Sequence, residues 1–150
     1  MRCSRTALAA GLLLTVIVAA AGCERDGPTV QAAPDFRKCG LPAPDRDADP
    51  TLVPAPYLLD GEASVNKTDV VKGRVIAALA VPFSVNESFV RYKEAVAETS
   101  MEVLQEDNEG FEAELYLQEG KQLGSLQIRS STCENAVIVY LNLPAEKAAR

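Results

Sequence analysis

Seven of the nine prolines in this 150-residue chain fall between Pro28 and Pro56, while every aromatic residue except Phe36 lies in 57–144. A proline-rich stretch with few large apolar side chains cannot bury enough surface to offset the entropy of ordering it. Residues 23–56 therefore read as an extended tether. The core has to be built from 57–144, with 145–150 as a short tail. A unit of that size is one small domain, and a covalent staple counts for more in it than in a large one.

The apolar content is also front-loaded. Arg2 and Arg5 precede an uncharged run, Ala7–Ala21, which is too short for a comfortable membrane span of about 20 residues. A positive start followed by a short apolar stretch is the layout of an export signal. The run ends Ala20-Ala21-Gly22-Cys23, with small residues before a cysteine, and this resembles the lipobox of bacterial lipoproteins. The resemblance covers residues 1–23 alone, and Ala20 stands where leucine is usual in that motif. It implies removal of 1–22, lipidation of Cys23 and attachment to a membrane on the extracytoplasmic side. Cleavage after Ala19-Ala20-Ala21 is the competing reading and would release a soluble protein.

Cysteine parity separates the two. Cys3 leaves with the leader, so the mature chain keeps Cys23, Cys39 and Cys133. An odd count in an oxidising compartment strands one thiol, whereas lipidation of Cys23 leaves Cys39 and Cys133 to pair. Loss of Arg2 and Arg5 also moves the net charge from −6 to −8. Binding to nucleic acid is disfavoured, because neutralising phosphates takes a basic face.

Within 57–144 the pattern predicts an α+β fold. Val70–Val81 is rich in β-branched and alanine residues and reads as one strand. Ser84-Val85-Asn86-Glu87 matches a capping box, and Phe89, Tyr92 and Val96 follow at helical spacing. The helix starts near Val85 and ends either near Thr99, with Met101–Gln105 as a strand, or at Gln105. Phe111, Ala113, Leu115 and Leu117 then alternate with polar residues as a half-buried strand.

Leu126 and Ile128 mark the strand after it, with Gly120-Lys121 placed for a type II′ hairpin turn. Counting back from that turn sets Leu115 beside Leu126, Ala113 beside Ile128 and Glu112 beside Arg129. Ala136–Leu143 is the final strand, and Cys133 sits in the connection before it. One main helix on an antiparallel sheet of four to five strands makes a two-layer sandwich. The element order resembles that of cystatin-like folds.

The chain has no histidine, which removes the Ser-His-Asp and Cys-His nucleophile systems and every His-ligated metal site. Asp45-Arg46-Asp47-Ala48-Asp49 opens like an EF-hand loop, but proline occupies the positions of the glycine and of the bidentate glutamate. Ser125 follows a glycine without a base or a strand-to-helix elbow, and nothing calls for a cofactor or metal. Glu112 and Glu114 share a wet strand face, with no pattern around them that raises a carboxyl pKa.

Residues 94–119 hold nine acids and no basic residue. Glu94, Glu98, Glu106, Asp107, Glu109, Glu112 and Glu114 form the candidate interaction face, set against the plainer reading of a solvated acidic surface. The expected function is a non-enzymatic, membrane-anchored module that binds another envelope protein. The alternative is a carrier holding a small or lipidic ligand between helix and sheet.

Overall fold

A computed structural model describes residues 38–41 and 43–145. The leader, Cys23, the first part of the expected tether and residues 146–150 lie outside the described residues.

The fold is one antiparallel sheet of six strands with a single α-helix against it. The strands are β1 (Ser64–Val71), β2 (Arg74–Val81), β3 (Glu102–Asn108), β4 (Glu112–Glu119), β5 (Gln122–Ser130) and β6 (Val137–Pro144); α1 (Val85–Ala97) lies between β2 and β3. Their spatial order is β1-β2-β6-β5-β4-β3. The helix thus carries the chain from β2, next to one edge of the sheet, to the far edge, and a meander brings it back.

The strand count exceeds the expected four to five because the Val70–Val81 run is two strands. Lys72 and Gly73 both adopt left-handed backbone, with φ of 50° and 75°, and they join Val71 to Arg74. A two-residue loop with positive φ at both positions matches the twist of the flanking strands and needs a residue such as glycine that tolerates it. The β-branched residues on either side hid the break. The β4–β5 hairpin follows the sequence register: Leu115 opposes Leu126, Ala113 opposes Ile128, and Glu112 opposes Arg129 with N···O at 3.1 Å.

The Ser84 side chain caps α1 by accepting from the Glu87 amide at 3.3 Å. The Glu87 carboxylate turns to Arg91 one helical turn on, at 3.2 Å. The helix ends at Ala97, so Glu102 belongs to β3 rather than to a longer helix. Its buried face is Val85, Ser88, Tyr92, Ala95 and Val96. Phe89, expected on that stripe, is partly buried at its margin.

These residues close over Leu115, Leu117, Leu126, Ile128 and Val139, all fully buried. At roughly 1.5–3 kcal/mol per buried large aliphatic side chain, this layer is the main source of stability. Two hydroxyls are enclosed with it. Ser88 Oγ and the Tyr92 phenol have no hydrogen-bond partner among the described residues.

The described part of the expected tether, 38–41 and 43–56, packs on the sheet. Cys39 is bonded to Cys133 across a sequence separation of 94, and Cys39 and Leu41 are buried against Ala80, Ala136 and Ile138. The Asp45 amide donates to the Asn66 carbonyl at 2.7 Å and the Asp49 amide to Thr68 Oγ1 at 2.7 Å. Asp49 caps a 3₁₀ turn, Pro50–Leu52, accepting from the Thr51 hydroxyl at 2.6 Å and amide at 2.9 Å. Those bonds, the hydroxyl's first, hold its carboxyl below the usual range.

Further 3₁₀ turns over Ala55–Gly61 place Tyr57 and Leu59 beside Val53 in the core next to α1. Arg91 pins this segment to the helix through Glu62 at 2.8 Å and lies over the Phe83 ring at 3.9 Å. Composition read these residues as spacer because their apolar side chains are few. Val53 and Leu41 reach the core nonetheless, and the disulfide supplies what composition lacks.

Candidate functional site

Side chains alternate between the two faces of a strand, and directly opposed residues share a face. That rule divides the acidic residues. Glu94 on α1 and Glu98 at its C-cap stand beside Asp60 and Arg91, around a notch of about 120 Å³. Glu106 opposes Leu115 and so points to the helix side, where Lys93 Nζ holds it at 2.7 Å.

Asp107 opposes Glu114 on the outer face, and with Glu109 and Glu112 they line a depression of about 220 Å³. Three of the seven already have internal partners. Glu106 has Lys93 and Glu112 has Arg129. Glu114 accepts from the Tyr116 hydroxyl at 2.9 Å and from Gln127 Nε2. The candidate acidic face is therefore not one surface but two groups on opposite sides of the sheet. Counting acids along the chain missed this because β3 and β4 alternate.

No cluster of acids and cysteines that could hold a metal ion occurs among the described residues. Nor is any helix among them long and apolar enough to cross a membrane.

The outer face carries a different arrangement. At one end Cys39 and Leu41 cover Ala80 and Ile138. Towards the other end no described segment covers it, and Ile76, Tyr116, Leu123 and Tyr140 are exposed, the two tyrosines at 43% and 42%. The registers set two adjacent rows across this open part. Tyr116, Ser125, Asn142 and Ile76 form one; Glu114, Gln127 and Tyr140 form the next.

Ser125 is the small member of its row, so the rows enclose a shallow depression of about 240 Å³. Its polar groups are held in place. Arg74 donates from Nε to Asn142 Oδ1 at 2.5 Å and from a terminal nitrogen to the Leu123 carbonyl at 2.7 Å. The hydrogen bond to Glu114, and then that carboxylate's charge, push the Tyr116 phenol up from its ordinary value.

Ser125 Oγ and the Tyr140 hydroxyl make no hydrogen bond among the described residues. The arrangement can bind by ring contact and hydrogen bonding, and it holds no nucleophile–base pair. The alternation in β4 and β6 already sends Tyr116, Tyr140 and Asn142 outward. What sequence alone withholds is the pairing of β6 with both β2 and β5, which brings Ile76 and Tyr140 to the same patch as Tyr116.

The chain matches no protein-family model, no curated protein and no solved structure.

Proposed function

We propose that this protein is a membrane-anchored extracytoplasmic lipoprotein whose α+β domain is a non-enzymatic interaction module. It engages another component of the cell envelope through the open part of its outer sheet face. The observation that carries this reading is the unequal cover of that face. A disulfide-held segment seals one end, and the other presents exposed tyrosines and aliphatic side chains around a polar floor. Exposed large apolar side chains gathered beside unfilled polar groups are one mark of a binding surface.

The anchor rests on the leader and on the cysteine count, since the Cys39–Cys133 bond takes up two of the three cysteines that follow the leader and leaves Cys23 for the lipid. A Cys23→Ser variant is expected to leave the membrane fraction, and unchanged fractionation removes the lipid from the proposal. The alternative carrier reading is less favoured among the described residues. Tyr92, Leu115, Leu126 and Val139 fill the layer between helix and sheet where its ligand would lie.

The surface assignment is tested by photo-crosslinking in intact cells. A benzophenone side chain in place of Tyr140 should give a discrete adduct, whereas the same group in place of Val90, exposed on α1, should give none. Adducts at Val90 and none at Tyr140 would move the contact to the helix side.

A further inference from the structure

We infer that the depression on the open sheet face binds an oligosaccharide, with pyranose rings lying against Tyr116 and Tyr140. The inference rests on the assignment of that face as the binding surface and names the class of ligand it takes.

The chemistry of the lining selects among ligands. Glu114 is the single charged group lining it, with Arg74 bonded to Asn142 on one side and Asp107, Glu109 and Glu112 beyond Glu114 on the other, so an anion gains nothing from the lining itself. The Glu114 carboxylate already accepts hydrogen bonds from Tyr116 and Gln127, which blunts its pull on a cation. The floor is polar and largely uncommitted. Because Arg74 takes Asn142 Oδ1, the Asn142 amide nitrogen is left to donate outward. Gln127 gives its amide nitrogen to Glu114, which leaves its oxygen to accept. Between them, Ser125 Oγ and the Tyr140 hydroxyl can each donate and accept.

A purely aliphatic partner would desolvate all four groups and satisfy none of them, which is unfavourable. Carbohydrate hydroxyls donate and accept from the same atom, so they answer a floor of this mixed kind. The other face of a pyranose is a patch of C–H groups, which suits the exposed phenol rings.

The spacing points to a chain of sugars. Tyr116 and Tyr140 stand two strands apart and one residue pair out of line, a backbone separation of roughly 12 Å from strand spacing and rise. A backbone span of that size leaves room for the two tyrosines to address different units of an oligosaccharide. The site is a surface depression rather than an enclosed cavity, which fits a polymer that continues beyond it at both ends.

The test uses the full-length protein in a detergent without sugar headgroups, titrated with cellotetraose, chitotetraose and, as a cationic control, tetralysine. Saturable binding of at least one oligosaccharide is expected, with amide shifts centred on Ser125, Gln127 and Asn142. A Tyr116→Ala/Tyr140→Ala variant should weaken it by about tenfold or more while keeping the thermal midpoint. Ser125→Ala should also weaken it, by removing the central hydroxyl without filling the depression.

The inference is overturned if neither oligosaccharide binds, if the shifts fall elsewhere, if the double variant binds as well as the parent, or if only tetralysine binds. A Tyr140 crosslink that persists without oligosaccharide binding would keep the open face as a contact surface and pass it to a protein partner. Loss of both would remove the surface itself.

Discussion

The two faces of this sheet are built from the same strands and have been put to different uses. On β5, Leu126 faces α1 and is fully buried, while Leu123, three residues earlier, faces out and is 55% exposed. The helix face is continuous and filled from β2 to β4 by α1 and the Ala55–Gly61 turns. Among the described residues, the outer face is sealed only where Cys39 and Leu41 lie on it. An antiparallel sheet does not need both faces covered, so the open half is not a defect of packing. What the contrast teaches is that stability and recognition occupy opposite sides of one element and can be altered separately.

The largest expected effect strikes the seal. Replacing both Cys39 and Cys133 by serine releases a loop of 94 residues, for a loss of about 4–5 kcal/mol in the chain-entropy account. Urea unfolding of the oxidised parent beside the double variant measures it. A loss well under about 1 kcal/mol would mean that packing, not the bridge, holds the cover down.

The next experiment sets the faces against each other on one strand. Leu126→Ala should lower unfolding free energy by about 3 kcal/mol, whereas Leu123→Ala should change it by about 0.5 kcal/mol or less. Similar values for the two would break the division of labour.

The third effect is smaller and depends on pH. Burial pushes the Tyr92 phenol well above its ordinary value of 10.0. Below that value both folded and unfolded chains keep the proton. Above it the unfolded chain releases the proton and the folded one does not, so stability falls by about 1.4 kcal/mol per pH unit from this residue. Tyr92→Phe should remove that alkaline slope. At neutral pH it should be neutral or slightly stabilising, because it deletes a hydroxyl with no partner among the described residues.

The smallest change belongs to the open face. Tyr116→Ala and Tyr140→Ala should each leave the unfolding free energy within about 0.5 kcal/mol of the parent. A larger loss in either would show that the tyrosines serve the fold as well as the surface.

Local rules carried the reading of the sequence a long way. Ser84 caps the helix, the β4–β5 register fell where alternation and Gly120 placed it, and Val137, Val139, Leu141 and Leu143 all turn inward. Each of these depends on residues close in sequence. The errors lie where a local signal was outvoted or a distant one was needed. The β1–β2 turn was masked by valines on both sides of Lys72-Gly73. Val53 and Leu41 sit among prolines that suggested spacer, yet contacts with distant strands bury them. The acidic residues were counted along one dimension, and strand alternation then sent Glu106 and Asp107 to opposite faces. The tyrosine patch required the order of β2, β6 and β5, which no single strand specifies.

The position of the disulfide has a mechanical consequence. Tension entering along the backbone from the N-terminal side reaches Cys39 first, and the Sγ–Sγ bond passes it straight to Cys133, just ahead of β6. Along the covalent path from Cys39 to Cys133 the 3₁₀ turns, β1, the helix and β3 to β5 are bypassed while the bond is closed. Load reaches them only through the strand pairing to β6 or through a partner held on the open face. A chain pulled from that end without the bond would begin to open at β1, the first strand in sequence and an edge of the sheet. With the bond in place the pull is delivered to the middle of the sheet, where β6 is zipped to a neighbour on each side.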